Sequence, residues 1–224
     1  MVGVRTHTIV ATSEAYLASE RRGIWSVLNN PVVYEGFHQL IGARRWLKRF
    51  TRDVVQAQAG DCVLDIGCGP AALLRYLPHT TYIGFDRNEA YIARAQRNYT
   101  ERGRFICDDI SNFAKYDLSE VDIAVAIGVI HHLDDALALS LMREVARTLR
   151  PGGRFLTVDP CFHPEQSFVQ RFIVSSDRGM HVRPFERYVE LCSTIFPTPK
   201  TIFQRGHFPF PHSICILDAT IGRK

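Results

Sequence analysis

The 224-residue sequence predicts an α/β fold, a doubly wound and mostly parallel sheet with helices on both faces. From residue 61 onward, short apolar runs alternate with helical patterns, which is typical of right-handed βαβ units. Ligands of such sheets bind beyond the carboxyl ends of the strands, where the strand order reverses. The five strands predicted in this part are Cys62–Ile66, Tyr82–Phe85, Arg104–Cys107, Asp122–Ile127 and Arg154–Asp159.

Helical patterns fill the connections between these strands. They cover Ala71–Leu77, Glu89–Tyr99 and Leu137–Leu149, with a shorter helical segment at Ser111–Phe113. The run Leu149-Arg150-Pro151-Gly152-Gly153 then predicts the end of a helix and a tight turn into the fifth strand.

The last part of the chain predicts a different connection. After a helical pattern from Pro164 to Phe196, two strands are predicted at Lys200–His207 and Ser213–Ala219. Because parallel strands need a long crossover and this link is short, the two strands are predicted to form an antiparallel hairpin. The sheet is therefore predicted to have seven strands.

The sequence divides into two regions near residue 60. Residues 1–59 are predicted to form an N-terminal helical cap, in which residues 32 to about 58 make one amphipathic helix. Residues 60–224 are predicted to form the sheet domain, with a helical insertion at about 161–196.

The charge and hydropathy of the chain argue against two classes of partner. The net charge of +4 is modest, and the densest basic group lies opposite apolar residues of the cap helix, as on a solvated helix face. No apolar run is long enough to cross a bilayer, and the first residues lack a signal-peptide core. A cytoplasmic protein without nucleic-acid or membrane partners is expected.

The six cysteines are scattered, without a Cys-x-x-Cys pair or a Cys/His cluster of zinc spacing. Neither disulfides nor a metal site are therefore predicted. Cys68 lies in a glycine-rich loop, where a packing role is favoured over a reactive one.

The segment Val63-Leu64-Asp65-Ile66-Gly67-Cys68-Gly69-Pro70-Ala71 is the most informative of the chain. A buried strand that ends in a glycine turn allows the backbone to approach a ligand closely. Asp86 ends the next predicted strand, at the spacing that nucleotide-binding sheets use to hold ribose hydroxyls. Together these features predict a cofactor that contains adenosine.

The residues of the loop separate two classes of cofactor. A dinucleotide site has Gly-x-Gly-x-x-Gly, but the third glycine is missing here. The loop resembles motif I of the class I S-adenosylmethionine-dependent methyltransferases: Asp65, Gly67 and Gly69 match it, and Ala71 stands where the third glycine usually falls. The resemblance implies a Rossmann-like fold, with S-adenosyl-L-methionine as methyl donor and S-adenosyl-L-homocysteine as product. A nicotinamide-dependent oxidoreductase is the less favoured alternative.

The resemblance also assigns residues to the cofactor. It implies that Asp86 holds the ribose hydroxyls, although an aspartate there would equally suit the N-cap of the next helix. Phe105-Ile106-Cys107-Asp108-Asp109-Ile110 resembles the third-strand motif, in which Asp108 would accept a hydrogen bond from the adenine amino group. The whole implied set is Asp65, Gly67, Cys68, Gly69, Asp86, Arg87, Asp108, Asp109, Ile110 and Ile127.

The segment that follows the fourth strand, Ile127-Gly128-Val129-Ile130-His131-His132-Leu133-Asp134, resembles the corresponding part of small-molecule methyltransferases. Methyl transfer to a hydroxyl requires removal of a proton, and the pKa of histidine suits that task. His131 and His132 are therefore candidate catalytic residues. Each has a structural alternative, in which one packs against the cofactor loop and the other caps the next helix.

The helical insertion is expected, from the resemblance, to roof the substrate pocket. Arginines among its aromatic residues would suit an anionic acceptor, a carboxylate or phosphate, unless they form a solvated helix face. The candidate substrate-binding residues are Tyr34 on the cap helix, and His163, Arg178, His181 and Arg183.

The chain lacks the Asn/Asp-Pro-Pro-aromatic motif of methyltransferases that act on adenine or glutamine nitrogens. The sequence therefore predicts methyl transfer to a small molecule, with oxygen favoured as the acceptor atom if a histidine is the base. The alternative is a noncatalytic module of the same fold that binds the cofactor or a partner. That alternative predicts loss of the donor-site acids, yet Asp65, Asp86 and Asp108 are present.

Overall fold

The computed structural model describes residues 43–175, 177, 179–205 and 213–222. Most of the predicted N-terminal cap lies outside these residues. The described part begins with helix α1 (Ala43–Phe50), which continues into a π-helical turn at Thr51–Val55. Gln56 has a left-handed backbone with a φ of 53°, so this helix ends before the predicted limit near residue 58.

An eight-stranded sheet forms the centre of the molecule. Its strands in chain order are β1 (Cys62–Ile66), β2 (Thr81–Asp86), β3 (Gly103–Cys107), β4 (Val121–Ile127), β5 (Leu149–Phe162), β6 (Arg183–Pro184), β7 (Lys200–Arg205) and β8 (Ser213–Thr220). Seven of them follow the order β3-β2-β1-β4-β5-β8-β7, and the two-residue β6 pairs with the end of β5. The first five in this order are parallel, and β8 is antiparallel to both of its neighbours. The predicted mostly parallel sheet with a C-terminal antiparallel pair is confirmed.

Four further helices lie between the strands of the described part. They are α2 (Glu89–Tyr99), α3 (Asp135–Thr148), α4 (Phe168–Ser175) and α5 (Phe185–Ser193). Helix α2 has the predicted bounds, and α3 begins earlier than predicted because Asp134 caps its first turn through a bond from the Leu137 amide. None of the helices in this part of the chain is long and apolar enough to span a membrane.

The helix predicted over Ala71–Leu77 is wrong, because only a single 3-10 turn, Leu73–Tyr76, forms there. Ala71 has a left-handed φ of 58° and so cannot begin a right-handed helix. Leu77 is extended, as expected for a residue that precedes a proline. The loop after β1 is therefore followed by one short turn and not by an α-helix.

The helix predicted from Pro164 to Phe196 is also corrected, because β6 divides it into α4 and α5. The interruption falls at Arg183, which precedes a proline, and proline disfavours helical backbone in the residue before it. Pro184 is itself the N-cap of α5, with an extended ψ of 149°.

Buried side chains pack on both faces of the sheet. On one face Phe155 and Phe196, both fully buried, have ring centroids 5.6 Å apart in a cluster that includes residues of α3 and α5. On the other face Trp46 and Phe50 of α1 stack with centroids 4.9 Å apart, in a cluster that includes Leu156. Helices therefore cover both faces, as predicted.

Arg154 of β5 ties α1 and its π-helical turn to the sheet. Its guanidinium donates two hydrogen bonds of 3.0 Å to the carboxylate of Asp218 on β8. It also donates to the main-chain oxygens of Val55 and Val54, at 2.8 and 2.7 Å. One side chain thus satisfies two carbonyls at the end of a helix and a carboxylate on the neighbouring strand.

Replacement of this arginine tests the connection. We expect Arg154→Met to lower the free energy of unfolding by roughly 1–3 kcal/mol, because the carboxylate and two carbonyls lose their donors. Urea denaturation measures the change. The matched control is Arg147→Met, whose guanidinium pairs with Glu144 on the exposed face of α3, and its effect should stay within about 0.5 kcal/mol. Equal effects of the two substitutions would contradict the role given to Arg154.

Candidate active site

The carboxyl ends of the parallel strands meet at one edge of the sheet. The strand order reverses between β1 and β4, because the chain runs outward from β1 through β2 to β3 and then returns to β4 on the other side. Loops that leave adjacent strands in opposite directions create a crevice at that point. The predicted cofactor-binding residues stand at or just after the ends of β1 to β4, so the topology brings them to this edge.

The loop after β1 approaches the loop after β4 so closely that only glycine fits. A Cβ atom on Gly67, which has a φ of 70°, would lie 2.5 Å from the Cγ2 atom of Val129. Gly69, with a φ of 53°, differs because a Cβ atom there would meet no atom within 4 Å. The first glycine therefore closes the contact between the loops, and the second leaves its backbone accessible to a ligand.

The main-chain amides of this loop are already hydrogen-bonded within the protein. Gly67 and Cys68 both donate to the carbonyl oxygen of Phe85 on β2, at 2.7 and 3.1 Å. The Gly69 amide donates to the carboxylate of Asp86 at 2.8 Å. A pyrophosphate site needs free amides at a helix N-terminus. The engaged amides and the single 3-10 turn that follows are unlike such a site, which disfavours the dinucleotide alternative.

The carboxylate of Asp86 lies at the crevice, at the end of β2. One oxygen accepts from Gly69 and the other accepts from the amide of Asn88 at 2.8 Å. The N-cap of α2 is Asn88, whose side chain accepts from the amides of Ala90 and Tyr91. The structural alternative for Asp86, a helix cap, is therefore wrong. Its predicted contact with ribose stays a prediction.

Asp65 lies beneath the loop and is 3% exposed. Burial raises the pKa of its carboxyl group to about 7, with the charge of Asp86 adding to the shift and the Tyr82 hydroxyl opposing it. That hydroxyl donates to Asp65 at 2.6 Å. The position supports the loop from below, and the predicted direct contact with a cofactor is not tested.

Cys68 packs inside the loop. Its Sγ atom would lie 2.9 Å from a Cβ atom on Gly84 of β2, so the thiol fills the space that this glycine leaves. Burial raises the pKa of the thiol well above its ordinary value. A buried thiol with a raised pKa is a poor nucleophile, so the structure favours the packing role.

The carboxylate of Asp108 is held in place by three donors after β3. They are the Asn112 side chain at 2.8 Å, the Tyr116 hydroxyl at 2.7 Å and the Asp109 amide at 2.7 Å. The hydrogen bonds from Asn112 and Tyr116 lower the pKa of Asp108, so the group is ionised at neutral pH. Asp109 caps the following 3-10 turn by accepting from the amide and hydroxyl of Ser111.

The other predicted cofactor-binding residues lie at the same edge. Arg87 follows β2 directly, Ile110 begins the 3-10 turn after β3, and Ile127 is the last residue of β4. All three are partly buried. Their contacts with a cofactor stay predictions.

His131 is buried between two carboxylates. Its Nδ1 atom lies 2.8 Å from Asp159 at the carboxyl-terminal part of β5, and its Nε2 atom lies 3.1 Å from Asp177. The main-chain amide of His131 donates to the same oxygen of Asp159 at 3.1 Å. Both ring nitrogens are therefore engaged, which is the arrangement of a protonated imidazolium.

Charge pairing decides the ionisation of this group. Burial disfavours the charged form, but hydrogen bonds and charges of Asp159 and Asp177 outweigh burial and raise the pKa of His131 to about 9. Burial likewise disfavours ionised Asp177, yet its bond to His131 lowers the pKa of that carboxyl group to about 2. The ion pair therefore persists across the neutral pH range.

Asp159 depends on His131. It is 1% exposed, and its Oδ2 atom has no hydrogen-bond partner. The two hydrogen bonds that His131 donates to Oδ1 must therefore offset the cost of burying this carboxylate. Removing one partner of a buried ion pair costs about 3–5 kcal/mol. Truncation of His131 alone would therefore lower the stability of the fold, so a loss of activity in that variant would not by itself indicate a catalytic role.

His132 differs from its neighbour in exposure. It is partly exposed, whereas His131 is 5% exposed. The two rings lie with centroids 4.1 Å apart and are inclined by 38°. The structure therefore separates the two predicted catalytic histidines into a buried ion-paired one and a partly exposed one. A catalytic role for either histidine stays a prediction.

The chain after α4 covers His131, and we call residues 177 and 179–183 the roof segment. Gly179 lies so close that a Cβ atom there would stand 2.0 Å from Cδ2 of the His131 ring. The amide of His181 donates to the carbonyl oxygen of His131 at 2.9 Å. These residues therefore cover His131, and the expected role of the insertion as a roof over a substrate pocket stays a prediction.

The anion-binding role predicted for Arg183 is corrected. Its side chain is 6% exposed and donates to the main-chain oxygens of Ile130 and Leu133, at 3.0 and 2.6 Å. It also donates to the Asp135 carboxylate at 2.8 Å and to the carbonyl oxygen of His181 at 2.9 Å. A guanidinium with these partners joins the roof segment to the loop after β4 and does not face an acceptor.

The other predicted substrate-binding residues lie in different parts of the chain. Tyr34 and Arg178 lie outside the described residues. The ring of His163 stacks on Phe203 of β7 with centroids 4.0 Å apart, and its Nδ1 atom accepts from the Glu165 amide at 3.2 Å. His163 therefore packs beside the sheet edge. His181 lies in the roof segment, and its contact with a substrate stays a prediction.

Asp159 and Asp177 are not among the site residues that the sequence predicts. Asp159 stands near the end of a strand, as Asp86 does, and that shared position was a usable signal. Asp177 has no comparable signal, because it becomes a neighbour of His131 only through the tertiary structure.

Comparisons with known proteins agree with this geometry. Residues 63–153 match the family model of a methyltransferase domain. The chain is 32% identical over 126 residues to an uncharacterised 37.1 kDa protein in transposon TN4556 of Streptomyces fradiae, covering 53% of this chain and 35% of that protein. It is 32% identical over 110 residues to the 27-O-demethylrifamycin SV methyltransferase of Amycolatopsis mediterranei, covering 46% of this chain and 39% of that protein. The matches thus span well under half the length of these relatives.

The fold has counterparts among solved structures. The phosphoethanolamine N-methyltransferase 2 of Haemonchus contortus, in complex with phosphomonomethylethanolamine and S-adenosylhomocysteine, superposes with a TM-score of 0.70. The similarity covers 93% of this chain and 60% of that chain, at 15% sequence identity. At that identity the likeness concerns the fold alone.

The ion pair of His131 predicts a pH dependence of stability. Its pKa is 6.5 when unperturbed and about 9 in the folded chain, so its contribution is complete below pH 6.5 and is lost as the pH rises through 9. In the double variant His131→Gln/Asp159→Asn this titration is absent. We expect the free energy of unfolding of the unaltered chain, relative to that variant, to fall by on the order of 3 kcal/mol between pH 6.5 and 9.5.

Urea denaturation at each pH measures this difference. The control is the replacement of an exposed histidine, His79→Gln, measured over the same pH series. A constant difference between the unaltered chain and the double variant would show that His131 is not protonated in the folded state.

Proposed function

We propose that this chain transfers a methyl group from S-adenosylmethionine to a small molecule. The match of residues 63–153 to the family model of a methyltransferase domain supports this proposal, as do the motif I residues that the chain shares with class I methyltransferases. The observation that carries the proposal is the juxtaposition of Asp86 and Gly69 at the crevice between β1 and β4. A carboxylate stands there beside a backbone position with open space around it.

The residues at the crevice suit S-adenosylmethionine better than a dinucleotide. The donor has an adenosine with free ribose hydroxyls and no phosphate, so it needs a carboxylate acceptor and does not need a cradle of free amides. Asp86 would hold the ribose, because a carboxylate can accept from two hydroxyls at once. Asp108 would accept from the adenine amino group, with its carboxylate already oriented by Asn112 and Tyr116.

The chemical demand on the protein is small, because the bound donor supplies a methyl group already activated on a sulfonium sulfur. The chain must position the acceptor and, for a hydroxyl, take its proton. We assign the general base to His132. His131 is buried with both ring nitrogens engaged by carboxylates, so it has no nitrogen left to receive a proton.

We infer that the acceptor is a small hydroxylated compound. Oxygen fits a histidine base, and a relative named for 27-O methylation supports this acceptor atom. The expectation of an anionic acceptor is weakened, since Arg183 donates to main-chain oxygens and to Asp135. The acceptor site that we propose is bounded by the loop after β4 and the roof segment.

A noncatalytic cofactor-binding module is the second candidate. The observation that favours it is the ion-paired state of His131, which removes one of the two predicted bases. The methyltransferase and the noncatalytic module would share the same donor site, and only the methyltransferase would convert S-adenosylmethionine to S-adenosylhomocysteine.

The donor site is tested by calorimetric titration of the chain with S-adenosylhomocysteine, with NADH as the comparison. We expect micromolar binding of S-adenosylhomocysteine, about −8 kcal/mol, and no binding of NADH. Asp86→Asn should weaken the affinity at least about tenfold, because a hydrogen bond to a charged group is lost. Asp117→Asn, on an exposed loop, is the matched control and should change nothing. Binding of NADH alone would refute the proposal.

Turnover is tested by conversion of S-adenosylmethionine to S-adenosylhomocysteine in a screen of hydroxylated compounds. With an acceptor in hand, His132→Ala should lower kcat by about 100-fold or more while the affinity for S-adenosylhomocysteine stays within about twofold. Normal kcat in this variant would exclude His132 as the base. No turnover with any acceptor, alongside intact donor binding, would favour the noncatalytic module.

A further inference from the structure

The roof segment is joined to the loop after β4 at three places. At its start the carboxylate of Asp177 lies 3.1 Å from Nε2 of His131. In its middle the His181 amide donates to the carbonyl oxygen of His131. At its end the guanidinium of Arg183 donates to the carbonyl oxygens of Ile130 and Leu133. The first of these contacts is an ion pair between side chains, and it is the one nearest to α4.

Asp177 also shapes the segment that it anchors. The oxygen that faces His131 also accepts from the amide of Gly179 at 2.8 Å. Gly179 itself lies so close to the imidazole ring that no side chain fits there. The carboxylate therefore orients both the imidazolium beneath it and the backbone above it.

Helix α4, which leads into Asp177, is weakly held by its own packing. Only Gln170 and Val174 of this helix are buried. Phe168 is 86% exposed and Val169 is 54% exposed. An element with few buried apolar contacts opens at low free energy, so the bond at its end matters more.

We propose that Asp177 is a positioning residue that holds the roof segment closed over the acceptor side of the methyl-transfer site. The inference rests on the proposed function, since it takes the loop after β4 to be the acceptor side. Through His131, the carboxylate fixes the backbone that presents the neighbouring His132. The proposed donor side, which is formed by the loops after β1, β2 and β3, does not depend on it.

The groups around His131 make this proposal separable from a general loss of structure. The titratable side chains that face the imidazole among the described residues are Asp159 of β5, Asp177 of the roof segment and His132 beside it. Asp177→Asn removes one carboxylate and leaves the buried pair of His131 with Asp159 intact. The variant is therefore expected to fold.

The experiment is an NMR pH titration of the full chain with labelled histidine, combined with amide hydrogen exchange. In Asp177→Asn we expect the pKa of the His131 imidazole to fall by about one unit or more, since one of its two anionic partners is lost. We expect exchange of the His181 amide to rise roughly tenfold, because the segment opens more often. The affinity for S-adenosylhomocysteine should stay within about twofold. Glu165→Gln, which removes an exposed charge near the start of α4, should leave all three readouts unchanged.

A second variant changes the position of the roof segment without removing the Asp177 carboxylate. Gly179→Ala keeps Asp177 but pushes the segment away from the ring, so the His131 pKa should fall in this variant as well. An unchanged His131 pKa, or an unchanged His181 exchange rate, in Asp177→Asn overturns the proposal. Tenfold weaker binding of S-adenosylhomocysteine in that variant overturns the assignment to the acceptor side. Lack of binding by the unaltered chain overturns the proposed function instead, while the imidazole and amide readouts still decide whether Asp177 holds the segment.

Discussion

The close approach of Gly67 to Val129 is the constraint on which the site depends. Parallel pairing of β1 with β4 sends their following loops from the same edge of the sheet. The two loops touch where a single Cβ atom would not fit. With this contact fixed, Gly69 and Asp86 lie at the crevice on one side and the two histidines lie on the other. The proposed donor and acceptor sides therefore both depend on this one packing contact.

The site also depends on an electrostatic interaction, the pairing of His131 with two carboxylates. A buried carboxylate at Asp159 is tolerable only beside a cation, and His131 supplies that cation from the loop after β4. The same cation then attracts Asp177 from a distant part of the chain. One imidazolium therefore joins the sheet, the loop after β4 and the roof segment. Because both of its ring nitrogens are engaged, His131 is better suited to holding these elements together than to accepting a proton.

The sheet could be predicted from the sequence, because the signals for its strands lie in short, local stretches of the chain. Apolar runs and turn residues marked the strands, and the spacing from the glycine loop to Asp86 marked the donor edge. Local patterns failed where backbone or tertiary constraints decide. The left-handed Ala71 prevented the helix predicted after the loop, and Arg183 looked like an anion-binding residue until its main-chain partners were known. Asp177 could not be selected, because its meeting with His131 depends on how α4 rests on the sheet.

A crystal structure of the full chain with S-adenosylhomocysteine would test the proposed donor site most directly. We expect the ligand in the crevice between the loops after β1 and β4, with both ribose hydroxyls within about 3 Å of the Asp86 carboxylate. We also expect the ligand sulfur on the side of His132 and the roof segment. A ligand bound elsewhere, or one in the crevice that makes no contact with Asp86, would rule out this donor site.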